Sequence, residues 1–151
     1  PNVPGQEPVA LQVWKRGRWC TVAKIVLLDG QMVLAVAVRH QQGTTSTVSI
    51  PLLALDHAEA RGCRWFVWRH DRRYEMRRIR LDTLRAEGWL QADGEVYIPL
   101  ERMERVPWAK WPYAEREIRL APVVEPGAEP DTLGTASEPA PAQLGLWGQR
   151  L

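Results

Sequence analysis

The run Val22-Ala23-Lys24-Ile25-Val26-Leu27-Leu28-Asp29-Gly30-Gln31-Met32-Val33-Leu34-Ala35-Val36-Ala37-Val38 decides the fold class. Its β-branched and aliphatic residues favour extended backbone, and Asp29-Gly30 supplies the two central positions of a tight hairpin turn. The strand before the turn reads from Trp19 to Leu28. The return strand, Gln31 to Arg39, is apolar at odd and even positions alike, so both its faces need cover. That predicts a strand in the middle of a closed or doubly covered sheet.

Working outward, Val9 to Trp14 reads as a short strand joined by a turn at Lys15-Arg16-Gly17-Arg18. Downstream, His40 to Thr45 reads as a loop and Ser46 to Ile50 as a strand ended by Pro51. Leu52 to Ala60 reads as one or two helical turns. A second run of strands follows: Trp65 to Arg69, a tip at His70-Asp71-Arg72-Arg73, and Tyr74 to Leu81. Asp82 to Gly88 predicts a short helix, with Asp82 as N-cap and glycine at its end. Trp89 to Gln91 and Glu95 to Ile98 flank Ala92-Asp93-Gly94 as a hairpin. Pro99 to Val106 reads as a last helical turn or two, and Trp111 to Leu120 as a final amphipathic piece.

Two segments echo each other, Val48-Ser49-Ile50-Pro51-Leu52 and Val96-Tyr97-Ile98-Pro99-Leu100, each reading strand, proline, short helix. Arg18-Trp19 and Arg64-Trp65 open the two units at similar distances upstream. The expectation is a mainly β protein, either a small SH3-like barrel or tandem duplicated β modules with short helices, followed by a disordered C-terminal tail. The boundaries read as a flexible N-terminus over 1–8, a first module over 9–60, and a second over 61–120, alone or as one domain with the first. A linker over 121–142 and a terminal peptide over 143–151 complete the chain.

With 151 residues, the part outside the tail is long enough for one domain or two very small ones with a real core. No apolar run is long enough to span a bilayer, and the first ten residues carry no secretory pattern, so a cytoplasmic protein without a membrane partner is expected. The chain begins at Pro1 without methionine, which leaves open a C-terminal piece of a longer protein. Cys20 and Cys63 lack the number and spacing of a disulfide framework or a zinc site. The net charge of +2 hides an asymmetry: from Ala121 onward four acids oppose Arg150, so Pro1 to Leu120 carries +5.

The basic excess concentrates between Arg61 and Arg85, where nine arginines face Asp71, Glu75 and Asp82. Trp65, Trp68 and Tyr74 are interleaved with them, as a surface needs in order to hold phosphates while stacking on bases. On strand parity Tyr74, Met76, Arg78 and Arg80 share one face, and Glu75, Arg77, Ile79 and Leu81 share the other, which has the better claim on the core. Arg69, Arg72, Arg73, Tyr74, Arg78 and Arg80 are therefore the candidate nucleic-acid-binding residues, for backbone and single-strand contacts. The competing reading is that tryptophans pack the core and arginines pair with Glu101, Glu104, Glu115 and Glu117.

Catalysis finds little footing. His57, Cys63, His70 and Asp71 match no metal spacing, no phosphate-cradling glycine loop or nucleophile elbow is present, and the carboxylates are scattered. No cofactor, metal or catalytic residue is assigned.

The end of the chain carries the most specific pattern. After the proline-rich acidic linker comes Gln143-Leu144-Gly145-Leu146-Trp147-Gly148, apolar anchors at the end of a polar tether. This resembles the short peptide by which bacterial polymerases and repair proteins bind the sliding clamp, matching at Gln143, Leu144 and Leu146 with Trp147 in the aromatic place. The ending Leu-Trp-Gly is similar to the tails of polymerase-like translesion proteins. Gly145 departs from the usual Ser or Asp. The resemblance implies that Gln143 hydrogen-bonds at a pocket edge while Leu146 and Trp147 fill a cleft on the clamp. Alternatives are a tail folded back on the body and another groove. The combined expectation is a non-enzymatic accessory protein of bacterial DNA replication, repair or mutagenesis, with the clamp and DNA or a polymerase-like protein as partners. The rivals are a protein adaptor without DNA binding and an unrecognised DNA-processing enzyme such as a nuclease.

Overall fold

A computed structural model describes residues 7–38, 46–113 and 115–122. The expected loop His40 to Thr45, the linker beyond 122 and the terminal peptide lie outside the described residues.

The hairpin that opens the sheet forms as its sequence requires. β1 (Val9–Lys15), β2 (Arg18–Leu28) and β3 (Gln31–Val38) are successive antiparallel neighbours. Their turns place Arg16 and Gly17 at φ 52° and 80°, and Asp29 and Gly30 at 50° and 79°. Two consecutive positive φ values match the right-handed twist of the flanking strands, which is why Asp-Gly suits the site. β4 (Thr47–Pro51) and α1 (Leu52–Ala60) follow, then β5 (Trp65–His70) and β6 (Glu75–Arg80). α2 (Leu81–Glu87), β7 (Trp89–Leu90) and β8 (Glu95–Pro99) come next. A 3-10 turn over Leu100–Arg102, β9 (Glu104–Val106), a second 3-10 turn over Glu115–Glu117 and β10 (Arg119–Pro122) complete the described chain.

The protein is mainly β, and its strands form two sheets. One runs β10-β1-β2-β3-β5-β6-β9 and the other β4-β8-β7. Neither closes into the barrel that the strand pattern allowed. The larger sheet stops at β9, whose three residues pair with β6, and at β10, which lies parallel to β1; these edges do not pair with each other. Its main core is covered by the second sheet and the helices, so burial does not require the sheet to wrap onto itself. β3 and β5 are parallel neighbours, Val33↔Trp65 through Val38↔His70, so the two runs of strands share one sheet. A parallel pair needs a long crossover, and the chain through β4 and α1 provides it.

The two echoing segments meet. β4 and β8 pair antiparallel with Val48↔Ile98 and Ile50↔Val96, all four side chains buried in the main core. The Leu52 N–H donates to the Gly94 carbonyl at 3.0 Å, and the Leu100 N–H donates to the Ser46 carbonyl at 2.9 Å. The repeat is thus a local two-fold arrangement across one strand pair.

β3 is covered on both faces, as its composition demands. Leu34 belongs to the main core with Ile25, Phe66, Trp68 and Ile79, whereas Val33 and Ala35 face a second cluster with Val26, Val67, Met76 and Trp111. The cover on that second face comes from residues 107–113, whose Trp108, Ala109, Trp111 and Tyr113 pack onto it. The amphipathic piece expected over Trp111 to Leu120 is instead this covering segment followed by β10, and β10 runs two residues into the expected linker. Pro99 to Val106 holds one 3-10 turn, then the strand β9.

Two details of α2 differ from the expected caps. Its N-cap is Arg80, with Asp82 in the first turn, where a carboxylate is favoured by the helix dipole. Gly88 ends the helix at φ −76°, so it is not there for a left-handed cap. It is there for space: a Cβ would sit 2.7 Å from the Leu84 carbonyl oxygen and 2.9 Å from that of Tyr97.

Candidate nucleic-acid interface

β5 and β6 form the antiparallel hairpin that carries most of the candidate residues. Its register places Trp65 opposite Arg80, Val67 opposite Arg78, and Arg69 opposite Met76, all on the second face of the large sheet. Met76 and Val67 are buried there, so this face is largely covered rather than open to solvent as parity suggested.

Cover by 107–113 changes what each arginine does. Arg69 is 4% exposed. Its Nε donates to Asp71 Oδ1 at 2.7 Å and its Nη1 to the Ala109 carbonyl at 3.2 Å. Its guanidinium carbon stands 3.9 Å from the Trp111 ring centroid and 5.6 Å from that of Trp108. Desolvated and held between the Trp111 ring, Asp71 and the Ala109 carbonyl, Arg69 fastens the covering segment to the hairpin and is too buried to present itself to a phosphate, where the sequence reading places it at the surface. Arg78 and Arg80 are accessible, as expected. The Arg78 guanidinium carbon lies 4.0 Å from the Trp65 ring centroid and its Nε donates to Glu104 at 2.6 Å. Arg80 lies 5.7 Å from the same ring and donates to Asp82 at 3.3 Å, which holds that carboxyl below the usual carboxylate range.

At the hairpin tip Arg72 and Arg73 are exposed beside Tyr74, which is 70% exposed and adopts φ 51°. The Tyr74 ring meets Trp108 edge-on at 5.1 Å between centroids, leaving much of the ring to solvent. Arg73 reaches Glu75 at 3.9 Å. Arg77, on the core side of β6, donates to Glu75 at 2.8 Å and to the Met103 carbonyl at 3.0 Å. Burial pushes the Glu75 carboxyl up, but the Arg77 hydrogen bond and the charges of Arg105, Arg77 and Arg73 outweigh it and hold the group below its ordinary range.

Much of the local charge is therefore internally matched, though of the partners that the competing reading names only Glu104 takes part in the following pairs. Arg69, Arg77, Arg78, Arg80 and Arg85 each bond a carboxylate, Arg85 bridging from α2 to Asp56 and Glu59 on α1. Arg61, Arg64 and Arg72 have no carboxylate partner among the described residues.

Two of those three arginines line one cleft of about 560 Å³, where the α1–β5 connection passes the start of β3. Arg61, Arg64 and Arg80 surround it together with Trp65, Gln31 and Met32. Arg61 is the C-cap of α1, and Gly62 turns the chain at φ 85°. The Arg64 carbonyl accepts the Leu81 N–H at 2.8 Å, fixing the backbone from which its side chain departs. Arg61 and Arg64 were not among the sequence candidates. Arg-Gly at the end of a predicted helix, three residues before the Trp65 strand, is the signal that would have found them.

The expected residues fall into two groups, Arg78 and Arg80 beside Trp65 at one end of the hairpin and Arg72, Arg73 and Tyr74 at the other. Three residues, Glu75 to Arg77, separate Tyr74 from Arg78, a span of roughly 13 Å at about 3.3 Å per residue. The four terminal residues Gln143, Leu144, Leu146 and Trp147 lie outside the described residues.

The remaining reactive groups are quiet. Burial pushes the Cys63 thiol up to about 11, and His70 is buried edge-on to Trp68. Among the described residues no three His, Cys, Asp or Glu side chains converge as a metal-ligand group, and no helix is long and apolar enough to cross a membrane. A scan against protein-family models and searches of curated proteins and of solved structures found no match to the chain.

Proposed function

We propose that the chain is a non-enzymatic accessory protein of bacterial DNA replication, repair or mutagenesis. Its β body grips a polynucleotide through the β5–β6 hairpin and the adjoining cleft, and its C-terminal peptide recruits it to the sliding clamp. The observation that carries the first half is the convergence of unpaired Arg61 and Arg64 with Arg80 around Trp65. Guanidinium groups beside a tryptophan suit phosphate and base together, without sequence readout. The second half rests on the resemblance of Gln143, Leu144, Leu146 and Trp147 to clamp-binding peptides. Linked binding of this kind raises the body's effective concentration at the clamp, to about millimolar for short flexible tethers, so modest DNA affinity suffices.

Two measurements test the halves separately. Calorimetry of the full chain with a bacterial sliding clamp is expected to give binding that Leu146→Ala with Trp147→Ala abolishes. Binding of single-stranded DNA as a function of salt is expected to weaken when Arg61 and Arg64 become Gln. The slope of log affinity against log salt should fall by about 1.4, at about 0.7 per phosphate contact. Arg18→Gln with Arg119→Gln, equal in charge but on strands across the sheet, should leave the slope unchanged. Equal losses in the two variants would discard the cleft as the DNA site.

A second reading, a protein adaptor without DNA binding, draws on the internal pairing of Arg69, Arg77, Arg78, Arg80 and Arg85. Absence of salt-dependent DNA affinity in the full chain would favour it.

A further inference from the structure

We infer that the cleft bounded by Arg61, Arg64, Arg80 and Trp65 is a receptor for a terminal phosphate monoester, so that the body prefers the phosphorylated end of a DNA strand over its interior. The inference rests on the polynucleotide reading above and adds to it which part of the strand is held.

Charge is the first argument. Among the described residues three arginines line the cleft and no carboxylate does. Asp82, bonded to Arg80 from outside the lining, offsets one of them, which leaves two positive charges facing the same space. A phosphodiester within a strand carries one negative charge. A phosphate monoester carries about 1.5 to 2 near pH 7 and offers three acceptor oxygens, so it is the better match.

Hydrogen-bond demand is the second. The Arg61 Nε is buried and has no acceptor among the described residues. A buried charged donor without a partner is costly, and pairing the same guanidinium with an anion in the cleft that Arg61 lines offsets part of that cost. Arg64 brings a guanidinium without a carboxylate partner, carried on backbone fixed by the Leu81 N–H.

One feature opposes an anion here, the negative end of the α1 dipole. It is blunted by local hydrogen bonds. The Arg61 N–H donates to the His57 and Ala58 carbonyls, the Gly62 N–H to that of Glu59 and the Cys63 N–H to that of Ala58, all within 3.2 Å. What remains is a fraction of one charge against two guanidinium groups.

Space is the third argument. The cleft's volume of about 560 Å³ falls within the 300–1,000 Å³ typical of small-ligand sites. A phosphate with its attached sugar fits this volume, and at Gly62 no atom stands within 4 Å of where a side chain would begin.

The test compares fluorescence anisotropy of the full chain with short single-stranded oligonucleotides carrying a 5′-phosphate, a 3′-phosphate or neither. One phosphorylated end is expected to bind about tenfold more tightly than the unphosphorylated strand, the scale of one added charge-assisted contact. In the Arg61→Gln, Arg64→Gln variant the preference is expected to vanish while a weaker, end-independent affinity persists. Equal binding of all three oligonucleotides by the unsubstituted chain overturns the inference and leaves the polynucleotide reading standing. If none of the three binds, both fall. Binding of a deoxynucleoside monophosphate, measured directly by calorimetry, where no oligonucleotide binds would overturn the strand end as the ligand and identify the free nucleotide in its place. The comparison of ends uses the unsubstituted chain and does not depend on how variants fold.

Discussion

Arg69 holds its guanidinium carbon 3.9 Å from the centre of the Trp111 ring while its Nε donates to Asp71. A hairpin residue is thereby locked to a segment some forty residues downstream. Trp111 is itself buried, so the contact sits inside the second cluster and not on the rim. The predicted effect of Arg69→Ala follows from that burial. Loss of the ring contact, of the bond to Asp71 and of the donor to the Ala109 carbonyl should destabilise the protein by about 2–4 kcal/mol. Urea unfolding measures it. A loss below about 1 kcal/mol would mean that the covering segment is held by apolar contact alone.

Glu75 gathers Arg77, Arg105 and Arg73 at 2.8, 3.5 and 3.9 Å. Its carboxyl is depressed despite its burial, so its contribution to stability is fully present above the unfolded glutamate pKa of about 4.3 and is lost as pH falls through the folded value. The melting temperature of Glu75→Gln should therefore lie below that of the parent at about pH 6, with the gap narrowing by about pH 3. A gap that stays constant across this range would show that the carboxylate's charge is not what the arginines recognise.

For Cys63 the sign is reversed. Burial raises the thiol to about 11. The stability linked to it is intact below the unfolded thiol pKa of about 8.5 and is lost as pH climbs toward the folded value. A thiol reagent applied at about pH 8 should label half-buried Cys20 in the native protein and reach Cys63 only at the rate of unfolding. Prompt labelling of both sites would contradict the burial of Cys63.

Gly88 and Gly62 give contrasting outcomes for the same substitution. At Gly88 a methyl group meets two carbonyl oxygens and a valine at 2.7–2.9 Å, so Gly88→Ala should cost about 1–3 kcal/mol through overpacking. At Gly62 nothing is within 4 Å, but φ is 85°, and Ala there should cost about 1–2 kcal/mol through backbone strain alone. Crystal structures of the two variants should differ accordingly, with displaced β8 neighbours in the first and an undisturbed surround in the second.

The parts of the fold written in local sequence were legible: the Asp29-Gly30 hairpin, the doubly apolar β3 and the helix Leu52–Ala60 all stand where their residues place them. What escaped was set by distant partners. Parity assigned the Tyr74-to-Arg80 side of β6 to solvent because nothing within the hairpin announces cover from residues 107–113. The partners of Arg78 and Arg85 are 26 or more residues away, at Glu104, Glu59 and Asp56, so counting charge in a window overstated how many arginines are free. β9 and β10 are three and four residues long, too short for an alternation to declare itself. In the candidate site, Trp65, Arg78 and Arg80 could be read from alternation, whereas Arg61 and Arg64 were marked only by the Arg-Gly stop of α1, and that they share a cleft with Arg80 follows from the turn of that end toward β3.

The paired strands β4 and β8 end in the same residue, Pro51 and Pro99, each placed so that the N–H it lacks would have pointed away from the other strand. Sliding one strand by one residue would turn its proline nitrogen inward, and a ladder bond would be lost there. The seam therefore acts as its own ruler. It favours one alignment, and on the edge strand β4 Pro51 puts a position without an N–H on the side away from β8, which hinders pairing with the edge of another molecule.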